Sequence, residues 1–288
     1  MNKFYLLILL ILVVTLISCS MNQIIIRQME PILQQSSNAL YEESDLQIAE
    51  QALASNLKLV EGLLKNDPQN EELLLLLAQG YAGYALGFVE DVNPERAKLF
   101  YLRARDYALK VLRKDKTFLN AENNSLEALA KVVNTYDASK VSPLFWAGFA
   151  GAGYLNLDLG NPMALLDFPK IQLFMDRVEA VNPSFYYGAV YLYQGSVLGM
   201  KPVIMGGNPE KAKEYFEKNL ELNDKKFLLA YIYMAKYYAA KVLDEESFDQ
   251  YLKIVEEAPV DIIPDITLIS QIAKRKAKLL FKSKENIF

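Results

Sequence analysis

Three short blocks of this sequence occur twice, and every pair has the same spacing. Asp67-Pro68 returns as Asn182-Pro183, Gln79-Gly80 as Gln194-Gly195, and Asn93-Pro94-Glu95-Arg96-Ala97-Lys98 as Asn208-Pro209-Glu210-Lys211-Ala212-Lys213. Each second copy lies 115 residues after the first. One offset shared by three blocks, with no insertion between them, points to an internal duplication. The body of the chain is then two related halves, at about 45–140 and 160–258. Both are helical in pattern. Apolar residues recur at three and four, as in Leu46, Ala49, Leu53, Leu57, Val60 and Leu64. No convincing run of alternating residues marks a strand. Prolines stand where helices begin, as at Pro94, Pro143 and Pro209. The expectation is an all-α fold.

Each unit resembles a tetratricopeptide repeat (TPR), a helical hairpin with small residues where its helices cross. In 228–261, Tyr231, Ala235, Tyr238, Ser247, Tyr251 and Pro259 fall at the spacing of that motif. The earlier units depart from it in the same way. Gly80 to Ala97 and Gly195 to Ala212 are each 17 apart, followed four residues later by Tyr101 and Phe216. Each half therefore carries about one extra turn, or a longer loop.

The segment between the halves is different. Ser142-Pro143 reads as an N-cap and first helical position, and Gly148, Gly151 and Gly153 follow inside the helix. Glycine costs about 1 kcal/mol against alanine there. Such a helix needs a compensating close contact. Two readings stay open: tight helix packing, or a small face bordering a cavity. Tyrosines also pair on two later helices, at Tyr186-Tyr187 and Tyr237-Tyr238. Each offers an apolar ring with a polar tip, suited to a core rim or to a binding surface. Aromatic and glycine content together nominate Trp146, Phe149, Tyr154, Tyr187, Tyr191 and Tyr238 as residues lining a pore or ligand cleft.

The first residues read as an address. Lys3 supplies a positive charge, and Leu6 to Leu16 form an apolar run too short for a membrane span but right for a signal peptide. Leu16-Ile17-Ser18-Cys19 resembles the bacterial lipobox, in which the cysteine becomes the lipidated first residue of the mature protein. The expected division is 1–18 signal peptide, 19–44 lipidated N-terminus and tether, and 45–288 helical domain. Ser20 beside the cysteine favours the outer membrane over the inner. A free cysteine ending a simple membrane anchor is the alternative.

Composition removes whole classes of chemistry. The 288 residues include no histidine and a single cysteine. His-based hydrolysis, His-ligated metal sites, intrachain disulfides and redox pairs are therefore excluded. A net charge of −4 offers no basic footprint for nucleic acid. The carboxylates Asp244, Glu245 and Glu246 read as the acidic first turn of a helix. Neither an enzyme nor a cofactor is expected. Near the C-terminus Lys274, Arg275, Lys276, Lys278, Lys282 and Lys284 form either a solvated face or a patch for an acidic partner or anionic lipid.

Taken in order, these elements resemble one family. Cys19, Pro143-Leu144-Phe145-Trp146-Ala147, Gly206-Gly207-Asn208-Pro209-Glu210-Lys211-Ala212 leading to Tyr215-Phe216, and Tyr237-Tyr238 followed by Asp244 and Phe248 are similar to the T component of tripartite ATP-independent periplasmic (TRAP) transporters. The resemblance covers most of the mature chain. It implies TPR-like hairpins closed around a water-filled pore, and a homotrimer. It also implies docking of the periplasmic solute-binding protein, the P component. The role implied is non-enzymatic help in the uptake of a small hydrophobic or carboxylate-bearing ligand, from a lipid-anchored position facing the periplasm. The alternative is a TPR scaffold lipoprotein for cell-envelope or outer-membrane protein assembly.

Overall fold

The computed structural model describes residues 3–288, with side chains for residue 21 and from residue 23 onward. The side chain of Cys19, expected to carry the lipid, lies outside the described residues. Fifteen α-helices make up the described chain, together with short 3-10 and π-helical turns. They are α1 (Lys3–Tyr41), α2 (Leu46–Leu64), α3 (Glu71–Tyr84), α4 (Pro94–Leu112), α5 (Lys116–Glu122), α6 (Leu126–Val133), α7 (Val141–Asn156) and α8 (Pro162–Leu165). Then follow α9 (Phe168–Val181), α10 (Phe185–Met200), α11 (Pro209–Leu222), α12 (Leu228–Met234), α13 (Ala240–Val242), α14 (Glu245–Glu257) and α15 (Thr267–Lys282).

The repeated Asn-Pro blocks start equivalent helices. Asn93 Oδ1 accepts from the Arg96 N–H at 3.1 Å, and Asn208 Oδ1 from the Lys211 N–H at 3.0 Å. Proline at the next position removes a donor that would have no partner there. Asp244 caps α14 in the same manner, taking the Ser247 N–H at 3.0 Å, with Glu245 and Glu246 in the first turn. Those three carboxylates serve the helix end.

Packing runs in two groups. α3 lies between α2 and α4, α4 packs on α7, and α7 on α9. α10 pairs with α11, and α12, α14 and α15 pack together. The segment Glu71–Val89 is long and apolar enough to cross a membrane, but most of it is buried among its neighbours as a core helix. Two apolar cores result, and α10 and α15 contribute to both. Phe118, Phe145, Phe174 and Leu77 belong to the first, and Phe216, Phe227, Phe248 and Leu252 to the second.

The glycines of α7 mark close contacts. A Cβ at Gly148 would meet Met175 of α9, one at Gly151 would meet Ile171, and one at Gly153 would meet the Tyr101 ring of α4. Tight packing is thus one use of the small face. The other use holds as well, since Ala152 and Gly153 also border a cavity. Residues 20–44, read from sequence as a tether, are helical as far as Tyr41. Leu33 and Leu40 give that helix apolar contacts with the first core, which a solvated tether would lack.

Candidate functional site

The two cores do not close on each other. Between them lies a cavity of about 920 Å³. Its walls come from both groups: Leu33 and Leu40 of α1, Leu77 of α3, Trp146 and Phe149 of α7, Ile232 of α12 and Ile272 of α15. That size is at the upper end for pockets that enclose a small organic ligand, and the lining is mostly apolar, as such pockets are.

Aromatic rings form one side. The Trp146 ring meets Phe145 and Tyr186 edge-on, each at 4.9 Å between centroids. Tyr186 reaches the cavity because the first turn of α10 is left-handed, with φ of 48° at Tyr186, 58° at Tyr187 and 66° at Gly188. This backbone costs a non-glycine residue roughly 1–2 kcal/mol. Asn219 and Asn223 of the α11 end offset it. The Asn219 side-chain amide donates to the carbonyls of Tyr187 and Gly188 at 2.7 and 2.9 Å, and that of Asn223 to Tyr187 at 3.0 Å. The Tyr186 hydroxyl donates to Tyr41 at 3.1 Å, and Gln79 donates to the same Tyr41 oxygen at 2.8 Å. Burial pushes both phenols up, so this bridge between α1, α3 and α10 is uncharged at neutral pH.

The polar end is built by two π-helical turns. Ala85–Val89 continues α3 and is closed by the Glu90 N–H on the Ala85 carbonyl at 2.9 Å. Ala235–Ala239 continues α12, with the Ala240 N–H on the Ala235 carbonyl. A π turn holds an extra residue and rotates the side chains that follow it. Glu90 and Asp91 leave the first turn, Lys236 and Tyr237 belong to the second, and all four line the cavity. Lys276 of α15 sits against the carboxylates, its Nζ 2.7 Å from Glu90 and 2.8 Å from Asp91. The other Glu90 oxygen accepts from the Tyr101 hydroxyl at 2.5 Å. Burial first, and then the Glu90 charge, push that phenol far up, so it stays a donor.

Two lysines on the wall have no such partner. Lys201 lies over the Phe168 ring at 4.4 Å, and Lys236 beside the Tyr237 ring at 5.1 Å. Neither makes an ion pair among the described residues. Solvent reaches Lys236, yet protein surrounds it, because its accessible surface faces the cavity. Its pKa is raised, by Tyr237 first and more weakly by Glu90 and Asp91, against a desolvation that lowers it. It is a cation at neutral pH. The C-terminal basic segment is therefore not one uniform surface. Lys276 turns into the wall at 7% exposure, while Lys284 pairs with Glu245 and Asp249.

The cavity reaches the surface at an apolar rim. Leu159, Leu165 and Met205 line it and are also exposed. Met163, Leu166, Val203 and Ile204 extend the patch, with Ile204 at 94% exposure. The Lys201–Phe168 contact joins the two loops that carry these residues. Clustered exposed apolar residues beside a cavity mouth are candidates for an interaction site.

Of the residues nominated from sequence, Trp146 and Phe149 lie on the cavity wall. The other four lie elsewhere. Tyr154 donates to Asp158 at 3.1 Å, Tyr187 stacks on Phe227 at 5.6 Å, and Tyr191 lies 6.3 Å from Tyr215. Tyr238 is buried in the second core, with Lys213 5.0 Å from its ring centre. The wall instead takes Tyr41, Tyr101, Tyr186, Tyr193, Tyr233 and Tyr237, with Lys236 and Lys276. Only Gly188 in that turn is of a type that suits a positive φ, and the two tyrosines before it carry no such signal.

No group of three or more acidic, histidine or cysteine side chains able to hold a metal occurs among the described residues. The sequence matches no curated protein. It does match the family model for the TRAP transporter T-component, over residues 42–288. That span takes in all of both cores from α2 onward. The chain therefore belongs to the TRAP transporter T-component family, and its role is the non-enzymatic one of a component that works with the solute-binding protein of such a system.

Proposed function

We propose that this T component receives a small apolar or carboxylate-bearing ligand in the cavity while the solute-binding protein of its transporter docks on the apolar rim. One observation carries the reading: the rim residues Leu159, Leu165 and Met205 are also wall residues of the cavity, so a partner seated there faces its contents. A ligand crossing between the two proteins need not enter water. Apolar solutes gain most from such a path, since each Å² kept from water is worth about 25 cal/mol.

The finer architecture belongs to the same proposal. The capped α3–α4 and α10–α11 hairpins act as duplicated TPR-like units flanking a pore, within a domain of residues 45–288. Residues 19–44 carry the lipid at Cys19 and hold the domain to the envelope on the periplasmic side, the outer membrane rather than the inner. Three copies assemble, each serving one binding protein.

The test is to crosslink the full-length protein mildly in native envelopes, purify it, and identify what is retained by mass spectrometry. A periplasmic solute-binding protein at near-stoichiometric yield is the expected result. An outer-membrane barrel or its insertion machinery in its place would overturn the proposal in favour of an envelope-assembly scaffold.

A further inference from the structure

The cavity wall carries five charged side chains: Lys201, Lys236 and Lys276 against Glu90 and Asp91. One positive charge is left over. Lys276 is already charge-paired, because its ammonium bonds both carboxylates. The Tyr101 hydroxyl is also committed, since it donates to Glu90. Lys201 rests on Phe168 at the rim. What remains at the inner end is Lys236. It is exposed to solvent on the cavity side, Tyr237 is its hydrogen-bonding neighbour, and its ammonium makes no ion pair among the described residues.

We propose that Lys236 binds the single negative head group of an amphiphile whose apolar body lies along Trp146, Phe149 and Tyr186. The proposal rests on the ligand-cavity reading above and adds the class and orientation of the ligand. Each alternative occupant meets a physical objection. A purely apolar molecule would fill the space but strip water from the ammonium without replacing it, which disfavours the charged form. A cation would add to the surplus charge. A dianionic head would exceed the one available charge and would face Glu90 and Asp91. A carboxylate matches the surplus, accepts from the ammonium in a charge-assisted hydrogen bond, and leaves the Lys276 cluster intact. The π turn matters here because it places Lys236 on the cavity side, next to Tyr237.

The chain contains a single tryptophan, Trp146, and it lies on the cavity wall. It is thus a built-in energy-transfer donor for a dansyl probe. The experiment uses full-length protein in lipid nanodiscs, titrated with dansylaminoundecanoic acid and with its methyl ester, against empty nanodiscs. Wild type is expected to bind the acid about tenfold more tightly than the ester. Lys236→Met should bring the acid down to the affinity of the ester and leave the ester unchanged, which also shows that the variant is folded. Lys236→Arg should keep the preference. Equal binding of acid and ester by wild type would overturn the Lys236 assignment while the cavity reading stands, and so would a preference that survives in Lys236→Met. If neither probe receives energy from Trp146, the cavity reading falls, and this assignment with it.

Discussion

The two copies of the duplicated hairpin use one spacing to make opposite things. From Gly80 to Ala97 and from Gly195 to Ala212 the chain takes 17 residues. In the first copy α3 runs on through the π turn Ala85–Val89, which stays in the core, and only Asp91–Pro94 come to the surface before α4. In the second, Pro202 follows the end of α10, and a proline without an N–H does not continue a helix. The chain leaves through the 3-10 turn Val203–Met205, and Gly206 takes a left-handed φ of 86° before Asn208 caps α11. The inner connector supplies Glu90 and Asp91 to the cavity. The outer one supplies Val203, Ile204 and Met205 to the rim. Duplication set the scaffold, and the connectors diverged to build the inside and the outside of one site.

The largest test of that contrast is at Gly199. A Cβ there would overlap the Tyr237 carbonyl, a backbone group held within the second π turn. The position 115 residues earlier is Tyr84, which packs against Phe88 and Phe100 with no such approach. Gly199→Ala is expected to cost about 2–3 kcal/mol and lower Tm by roughly 5–10 °C. Gly83 in α3 has nothing within 4 Å of its Cβ direction. Gly83→Ala should therefore gain about 0.5–1 kcal/mol from helix propensity. Thermal unfolding of both decides it. Similar values for the two variants would mean that the close approach of α10 to the π turn is not a feature of the second half.

A smaller difference lies in polar ties. Glu122 accepts from Arg113 at 2.6 and 3.0 Å and also pairs with Lys170, which links α4, α5 and α9. The positions 115 residues on from Arg113 and Glu122 are Leu228 and Tyr237, so the second half has no equivalent. Burial pushes the Glu122 carboxyl up, but the bonds from Arg113 and Lys170 outweigh it and hold the group below its ordinary 4.5. A depressed carboxyl contributes stability above its unfolded pKa and loses it as pH falls through the folded one. Glu122→Gln should cost about 1–2 kcal/mol at neutral pH. The deficit should shrink steadily once pH drops below 4.5. Urea unfolding across that range checks the sign. A deficit independent of pH would make Glu122 a packing residue only.

The helical class was legible because it rests on local rules. Asn93-Pro94 and Asn208-Pro209 cap helices by the chemistry of their own side chains. Gly148, Gly151 and Gly153 marked a small helix face and left packing and cavity both open, and the structure uses that face for both. The cavity wall was less legible, and the displacement is systematic. Tyr187 was nominated where the wall takes Tyr186, and Tyr238 where it takes Tyr237. Each is one residue away. Aromatic and glycine content does not say which of two adjacent tyrosines faces inward, and both sites break regular helical spacing. One breaks it with a left-handed turn held by Asn219 and Asn223, the other with a π turn. Lys276 was hidden for another reason. It sits in a run of lysines, and only the long-range approach of Glu90 and Asp91 separates it from solvated neighbours.

The smallest expected effect on stability is on the rim, and there the contrast between the connectors is sharpest. Ile204 is 94% exposed, whereas Val89, the position 115 residues earlier, is 1% exposed. Ile204 has almost no contacts to lose, so Ile204→Asp should change unfolding free energy by less than about 0.5 kcal/mol. If the rim receives the solute-binding protein, the same substitution places a charge where apolar surface must be desolvated, and retention of that partner should fall about tenfold or more. A stable variant that keeps its partner at full yield would remove Val203–Met205 from the docking surface. The second connector would then be an exposed loop shaped only by Pro202 and Gly206, and the division between inner and outer connectors would hold for the cavity alone.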